Sequence, residues 1–364
     1  MESWIKGKLP LIYLLYGAII LLAGFLLVEN TKSVILNPYY DDQLKAAWLM
    51  KECLEAIKEE RFKMGIPLKI ELDPNQTGII GEEYTEITTT LGNLLAKRTS
   101  TNPAFAALLV KYFKEANLKE GSMVAIGASG SFPALILATL CAAKVLNIEP
   151  LLIYSIGASQ YGANIPEFTF VPMLDYLNEK GILPYCLLAI SMGGDLDQAK
   201  GMLYSDSREI MQKIAEDSEA TFILSDDIVE NIQRRIQLYE LAAGKKGIKA
   251  FVNIGGATPN YGNTVASITY PNGLVIKGPK IPDDPGRGLI FEYQSRGIPV
   301  IHLLNIRDLA LKEGLPIDPV PLPTPGEGGV YRQVIYNKFI IILVMGIEFI
   351  YLIWVFKRRD KLRT

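Results

Sequence analysis

Ser129 lies in a short pattern that is typical of a catalytic nucleophile. The stretch VAIGASGSFPALIL, residues 124–137, has the pattern of a strand, a tight Gly/Ser turn and the start of a helix. Serine hydrolases hold their nucleophile on a Gly-x-Ser-x-Gly elbow of this kind, but Ser131 occupies the position of the second glycine here. The match is therefore partial, and the pattern predicts either a nucleophile or a polar turn that binds a ligand.

A serine nucleophile needs a general base, and the sequence contains one histidine, His302. Asp195 lies between Ser129 and this histidine, so the chain order is that of the α/β-hydrolases. However, His302 is flanked by Ile301 and Leu303, which is more typical of a histidine in the core. A triad of Ser129, Asp195 and His302 is therefore one hypothesis, and a structural role for the histidine is the other.

Four predicted strands run into turns rich in glycine and serine, namely GASGS, GASQYGAN, SMGGDLD and GGATPNYGN. The carboxyl ends of parallel strands meet at one edge of a sheet, where ligands of such folds bind. Glycine at this edge lets backbone N–H groups come close to a ligand. The residues predicted to bind a ligand there are Gly127, Gly130, Ser131, Gly157, Ser159, Ser191, Gly193, Gly194, Gly255 and Gly256.

The predicted ligand is anionic. The helix that begins near Pro133 presents free N–H groups and the positive end of its dipole to this edge. Cations elsewhere in the chain could add to the attraction, although most of them are expected to be ordinary surface charge. These cations are Lys97, Arg98, Lys200, Arg208, Lys277 and Arg287.

Other chemistries lack the residues that they need. One histidine and scattered carboxylates give no zinc-binding spacing, so we expect no metal site. The Gly-x-x-x-x-Gly-Lys-Ser/Thr loop of nucleotide-binding proteins does not occur, and we expect no cofactor. A net charge of −2 gives no support for nucleic-acid binding, which requires a basic face.

The sequence from residue 123 onward alternates between short apolar runs and helical stretches. The apolar runs are MVAIG, PLLIYSI, PYCLLAI, ATFIL, KAFVNI and IPVIHLL. Runs without polar alternation are typical of a parallel sheet that is covered on both faces. We therefore predict an α/β fold with a mostly parallel, doubly wound (Rossmann-like) sheet flanked by helices.

A helix is predicted over residues 41–64, and Cys141 and Cys186 are expected in the core.

Two segments lack a clear period. Residues 71–118 begin with turn formers and become rich in threonine and charge, which indicates either helix caps with solvated faces or a binding segment folded over the sheet. Residues 315–332 are rich in proline and glycine and are interpreted as an extended connector.

Apolar segments near both ends predict two transmembrane helices, over residues 11–28 and 339–356. As a helix rising about 1.5 Å per residue, each spans roughly 27 Å, close to the thickness of a hydrocarbon core. The flanking lysines and arginines predict a cytoplasmic N-terminus, residues 1–10, and a cytoplasmic basic tail, residues 357–364. Residues 29–337 would then form an extracytoplasmic domain.

Glu348 lies in the middle of the second apolar segment. An ionised carboxylate there costs about 2.5 to 3.5 kcal/mol on insertion scales for comparable charges, so Glu348 is expected to contact another helix. That helix is either the first apolar segment, through Tyr13 or Tyr16, or a partner membrane protein.

The order of these stretches resembles the poly-gamma-glutamate system protein family. The likeness rests on the two anchors, DPNQTGIIGEEYTEITTTLG, VAIGASGSFPAL, YSIGASQYGAN, the SMGGD turn and NIGGATPNYGN. The resemblance implies a two-pass protein of the bacterial cell membrane that takes part in capsule synthesis. It also implies partners, which are membrane proteins of the poly-γ-glutamate synthase and export complex, and it assigns no reaction to any residue.

Two hypotheses follow from the residues and the resemblance together. In the first, the protein binds poly-γ-glutamate, another anionic ligand or assembly partners at the glycine-rich edge. In the second, it is a serine-dependent amide hydrolase or transferase that acts on the polymer, with Ser129 as the nucleophile and His302 as the base. Labelling of Ser129 by a serine-directed phosphonate would favour the second.

Overall fold

The computed structural model describes residues 11–361, with the side chains of residues 11–358. The predicted cytoplasmic N-terminus, residues 1–10, and the last residues of the predicted basic tail, 362–364, lie outside the described residues. The described chain divides into two units. One runs from Pro38 to Tyr331, and the other consists of the residues up to Asn37 and from Arg332 onward.

The elements follow one another along the chain with helices and strands interleaved. The helices are α1 (Leu11–Asn30), α2 (Tyr40–Lys63), α3 (Leu94–Ser100), α4 (Ala104–Glu115), α5 (Pro133–Val145), α6 (Phe170–Glu179), α7 (Ser207–Glu216), α8 (Ile228–Ala243), α9 (Thr258–Tyr261), α10 (Val265–Ile268), α11 (Leu289–Ser295), α12 (Ile306–Glu313) and α13 (Lys338–Lys361). The strands are β1 (Ser33–Leu36), β2 (Met123–Ser129), β3 (Glu149–Ser155), β4 (Leu187–Ser191), β5 (Thr221–Ile223), β6 (Ile248–Ile254), β7 (Gly273–Val275), β8 (Val300–Leu303) and β9 (Arg332–Ile335).

The larger unit contains a seven-stranded sheet in the order β5-β4-β3-β2-β6-β8-β7. All neighbouring strands are parallel except β7, which pairs with β8 in the antiparallel direction. The predicted α/β fold with a mostly parallel, helix-flanked sheet is therefore confirmed. The six apolar runs all contain strands, whereas β7 was not predicted. The strand order reverses between β2 and β6, where a crevice opens beyond the carboxyl ends of the strands.

Alternate residues of β2 face opposite sides of the sheet, and both sides are buried. On one face Val124 and Ile126 pack in a cluster with α2, α4 and α5. On the other face Met123 and Ala125 pack with α8 and α11. Both faces are covered, and this explains why β2 is apolar without alternation.

The cysteines divide between the core and the surface. Cys141 is buried as predicted, and its Sγ atom lies 3.8 Å from that of Cys53. Cys186, in contrast, is exposed, so its prediction as a core residue is wrong. It precedes β4, whose first residues are only half-buried, and the apolar run around it therefore extends beyond the buried part of the strand.

The two segments without a clear period belong almost entirely to the larger unit and are held in it by polar contacts. The guanidinium of Arg61, on α2, is buried and donates to the carbonyls of Gly78, Ile80 and Pro67. The predicted connector is attached by an ion pair between Arg98 and Asp318. These contacts fix the course of the parts of the two segments that form neither a helix nor a strand.

The smaller unit consists of α1 and α13 with a two-stranded antiparallel ladder of β1 and β9. Both helices are long and apolar enough to cross a membrane. They approach closely at small residues: a Cβ atom at Gly24 would lie 2.4 Å from Cγ1 of Val344. Glu348 lies against Gly17, with Oε1 3.7 Å from the position of a Cβ there, and the hydroxyl of Tyr351 donates to a carbonyl of α1.

Candidate functional site

The carboxyl ends of β2, β3, β4 and β6 surround a pocket of about 440 Å³. Each strand continues into one of the glycine- and serine-rich turns, so the turns converge as the sequence predicted. The predicted residues that line the pocket are Ser129, Ser131, Gly157, Ser159, Gly193, Gly194, Asp195 and Gly256. The remaining lining residues are Thr89, Thr90, Leu91, Phe132, Ser155, Lys200, Gly201, Ala257, Thr258 and Leu304.

Three other predicted glycines lie around the pocket and serve close packing. A Cβ atom at Gly127 would lie 2.4 Å from Oδ1 of Asn260, and one at Gly130 would lie 2.5 Å from the carbonyl oxygen of Ile156. Gly255 has φ +80°, and a Cβ there would lie 2.4 Å from Oγ of Ser129. These glycines let neighbouring segments touch instead of presenting their own N–H groups to a ligand.

One wall of the pocket comes from the threonine-rich segment. The N–H of Ala158 donates to Ile87, that of Thr89 donates to Ala158, and that of Gln160 donates to Thr90, with N–O distances of 3.3, 2.8 and 3.0 Å. This pairing resembles an added strand and places Thr89, Thr90 and Leu91 at the pocket. The interpretation of this segment as one that folds over the sheet is therefore supported.

A buried ionic network lies beneath the turn after β4. Asp197 is buried, and its Oδ1 accepts hydrogen bonds from Ser155, Ser191 and the N–H of Gly193. Its Oδ2 lies 2.9 Å from Nη2 of Arg235, on α8. Because the network holds the N–H of Gly193, it fixes the turn that carries Gly193 and Gly194 into the pocket. Ser191, which was predicted to bind a ligand, belongs to this network.

Lys97 lies behind the wall of the pocket. It is on α3, which begins at the side-chain cap of Asn93, and it is 2 % exposed. Its Nζ atom lies 2.7 Å from Oγ of Ser159, donates to the carbonyl of Ser131 and lies 3.9 Å from the centre of the Phe132 ring. Burial lowers the pKa of Lys97 to about 7. A substantial fraction of this amine is therefore neutral near pH 7.

The structure does not bring the three residues of the predicted triad together. His302 is on β8, which is separated from β2 by β6, so the two strands are about 10 Å apart. Its Nδ1 atom accepts from Nδ2 of Asn253 at 2.9 Å, and its ring stacks on that of Tyr261 at a centroid distance of 5.9 Å. Burial lowers the pKa of His302 to about 4. Among the described residues that line the pocket, Asp195 and Ser129 are present and His302 is not.

Three of the residues that line the pocket have backbone N–H groups without an acceptor among the described residues. In the part of the chain that the structure describes, no residue accepts a hydrogen bond from the backbone N–H groups of Gly194, Gly256 and Ala257. The exposed side chain of Lys200 lines the same pocket, and so does that of Asp195. Such an arrangement suits a ligand with acceptor oxygens.

The other predicted cations lie elsewhere. Arg98 pairs with Asp318, Arg287 pairs with Glu292, and Arg208 donates to the carbonyl of Gln198. Lys277 is exposed and is not among the pocket residues. These four cations lie outside the pocket, in agreement with the expectation that most of the cations are ordinary surface charge. Within residues 11–358, no group of three or more histidine, cysteine, aspartate or glutamate side chains could hold a metal ion.

Sequence reasoning gave little weight to three residues of the site. Lys97 looked like ordinary surface charge, because its burial depends on how α3 packs against the turns after β2 and β3. Asp195 was predicted as the acid of the triad, whereas Asp197, two positions later in the same turn, was given no role. Arg235 was not considered. Its position beside apolar residues in the helix IVENIQRRIQLYELAA could have indicated a buried cation.

Comparison with known proteins gives no relative for this chain: no protein-family model, no curated protein and no solved structure matches it.

Proposed function

We propose that this chain is a membrane-anchored protein that binds an anionic, carboxylate-bearing ligand in the pocket at the carboxyl edge of its sheet. One observation carries the proposal: Gly194, Gly256 and Ala257 line the pocket and have backbone N–H groups without an acceptor in the described chain, and the side chain of Lys200 lines the same pocket. Charge-assisted hydrogen bonds from such donors are roughly twice as strong as neutral ones, and this favours carboxylate over neutral acceptors.

The finer form of the proposal joins the pocket to the resemblance found in the sequence. The ligand would be poly-γ-glutamate, whose every residue carries a free carboxylate, and the fold would be a doubly wound, Rossmann-like sheet that binds it at the reversal of strand order. The α/β unit would lie outside the cytoplasm of a bacterial cell, between two membrane helices with cytoplasmic ends. Its partners would be membrane proteins of the polymer synthase and export complex.

The chemistry of the pocket limits how such a polymer would bind. Only a few carboxylates fit into about 440 Å³, so the pocket would hold a short stretch or one end of the chain. Lys200 is exposed, and its attraction to the polymer would weaken as salt is added. The backbone N–H groups would supply the part of the affinity that depends on geometry instead of net charge.

Binding of a fluorescent γ-linked glutamate oligomer to the full chain in lipid nanodiscs tests the proposal. We expect Lys200→Glu to weaken binding roughly tenfold or more, because a favourable charge becomes a repulsive one. Lys277→Glu is the matched control, since it makes the same charge change at an exposed residue outside the pocket. Equal losses in the two variants, or no binding by the wild type, would overturn the proposal. Weaker binding of an α-linked oligomer of equal length would identify the γ linkage as a recognised feature.

A further inference from the structure

The amine of Lys97 contacts a serine that faces the pocket. Ser159 lines the pocket, and its Oγ atom lies 2.7 Å from Nζ of Lys97, which is itself 2 % exposed. A serine in contact with a buried lysine is a known nucleophile and base pair in hydrolases of unrelated folds. We infer that Ser159 and Lys97 form a nucleophile and base for acyl transfer, acting on an ester or amide that carries an anionic group.

The surroundings of Lys97 suit a general base. A neutral amine has two N–H groups and one lone pair, and the carbonyl of Ser131 accepts from this amine. The lone pair is then available to the hydroxyl hydrogen of Ser159. Among the described residues, no carboxylate forms an ion pair with Lys97, and its Nζ atom lies over the ring of Phe132. Burial lowers its pKa to about 7, so the neutral form is populated near neutral pH.

Ser131 positions both members of the pair. Its carbonyl accepts from Nζ of Lys97, and its hydroxyl oxygen accepts from the backbone N–H of Ser159 at 3.0 Å. The turn after β2 therefore fixes the amine and the backbone of the nucleophile at once. This arrangement gives the Gly/Ser turn a supporting role in the reaction, without assigning the nucleophile to Ser129.

The first step transfers the Oγ proton of Ser159 to the neutral Nζ of Lys97 while Oγ attacks the carbonyl carbon. A C–O bond forms, and the carbonyl π electrons move to the oxygen, which backbone N–H groups of the pocket can stabilise. When the intermediate collapses, the C–N or C–O bond to the leaving group breaks, and that group takes the proton from Nζ. Water or an amine then attacks the acyl-serine and passes its proton to Lys97. The bond between the acyl carbon and Oγ breaks, and Oγ takes the proton from Nζ, which releases Ser159 and the acid or amide product.

The anionic group of the substrate is argued from the same donors that support the proposed function, so the inference rests on that pocket. Binding and reaction are separable in experiment, because Ser159→Ala removes one oxygen atom and no charge. This variant is expected to abolish the reaction, whereas Lys200→Glu, which leaves Ser159 and Lys97 unchanged, is expected to weaken binding of the glutamate oligomer and to retain labelling. If the folded wild type binds the oligomer but is not labelled, the inferred acyl transfer is wrong and the proposed binding stands. If it is labelled but does not bind the oligomer, the proposed ligand is wrong and the acyl transfer stands.

Labelling of the full-length protein in nanodiscs by an alkyl fluorophosphonate tests the inference, with the modified residue located by peptide mass spectrometry. We expect the label on Ser159, its complete loss in Ser159→Ala and its retention in Ser129→Ala. The labelling rate of the wild type is expected to rise with pH through about 7, as Lys97 loses its proton. No labelling of the folded wild type up to pH 9, or a label on Ser129, would overturn the inference.

Lys97→Met, which keeps an unbranched side chain as far as the Cε position and removes the amine, is expected to slow labelling at least a hundredfold. A merely structural lysine would leave the labelling rate of the folded protein and its pH profile unchanged. If the variant does not fold, the wild-type profile decides: a rate that is independent of pH between 6 and 9 contradicts the role of Lys97.

Discussion

The carboxylate of Asp197 and the guanidinium of Arg235 form an ion pair from which solvent is fully excluded, with Oδ2 and Nη2 2.9 Å apart. The pair joins helix α8 to the turn that follows β4. Water cannot compensate either charge, so each depends on the other and on the hydroxyls of Ser155 and Ser191.

Removing one charge of this pair should destabilise the protein strongly. We expect Arg235→Met to lower the free energy of unfolding by about 3 to 5 kcal/mol, since it leaves Asp197 buried without its cation. The matched control is Arg296→Met, which breaks an exposed ion pair with Glu240 and should cost less than about 1 kcal/mol. Denaturation of both variants in detergent measures the difference, and similar losses would show that burial of the pair contributes little.

Gly193 should tolerate no side chain, although it lies in the same pocket as Gly256. Gly193 has φ +82°, and a Cβ atom there would lie 2.8 Å from the N atom of Gly157, whereas the nearest atom to a Cβ at Gly256 is 3.7 Å away. Gly193→Ala is therefore expected to cost about 1 to 2 kcal/mol of stability and to weaken binding of a glutamate oligomer. Gly256→Ala should leave stability nearly unchanged. Equal melting temperatures for the two variants would contradict this view of the turn.

His302 should act as a neutral core residue. Burial lowers its pKa to about 4, so the folded state binds fewer protons than the unfolded state between pH 6.5 and 4. The contribution of His302 to stability is then complete above about pH 6.5 and is lost as the pH falls towards 4. We expect His302→Phe, which keeps a ring against Tyr261 and Tyr270, to lose less stability than the wild type over this range. Melting temperatures at several pH values provide the measurement.

The same variant separates the two catalytic hypotheses. If Lys97 is the base, His302→Phe retains serine labelling by a fluorophosphonate. If labelling disappears in a variant that is still folded, the predicted triad of Ser129, Asp195 and His302 regains support.

Gly24 should control the contact between α1 and α13. A Cβ atom there would lie 2.4 Å from Cγ1 of Val344, while nothing lies within 4 Å of a Cβ at Gly346. Gly24→Ile is expected to separate the helices and to reduce cross-linking of cysteines introduced at Gly17 and Glu348 by a short thiol reagent. Gly346→Ile, the matched control, should leave cross-linking unchanged. Equal cross-linking in both variants would show that the contact does not depend on this glycine.

The sequence predicted the long and strongly patterned elements. The helix predicted over residues 41–64 is observed at Tyr40–Lys63, and all six apolar runs contain strands. The missed strands, β1, β7 and β9, have three or four residues each, and none of them is fully buried. Their formation depends on partners far away in the chain, such as the pairing of Ser33 with Ile335.

The position of the pocket follows from local features of the sequence, whereas the environment of its charged residues does not. Strand ends and glycines are local features, and they placed the pocket at the correct edge of the sheet. Burial is not a local feature, and it is what distinguishes Lys97 from Lys200 and Asp197 from Asp195. Leu196 and Asp197 both have positive φ, so the chain turns sharply between Asp195 and Asp197. One carboxylate is therefore exposed and the other buried, which residue types alone do not reveal.

The ladder of β1 and β9 means that the chain leaves the helix pair and returns to it through neighbouring strands, because Leu36 pairs with Arg332. The α/β unit is thus inserted in the chain between α1 and α13, and two separate stretches of backbone connect it to them. A protease that cuts one of these connections leaves the unit attached through the other. Release of the unit as a separate fragment therefore requires two cuts.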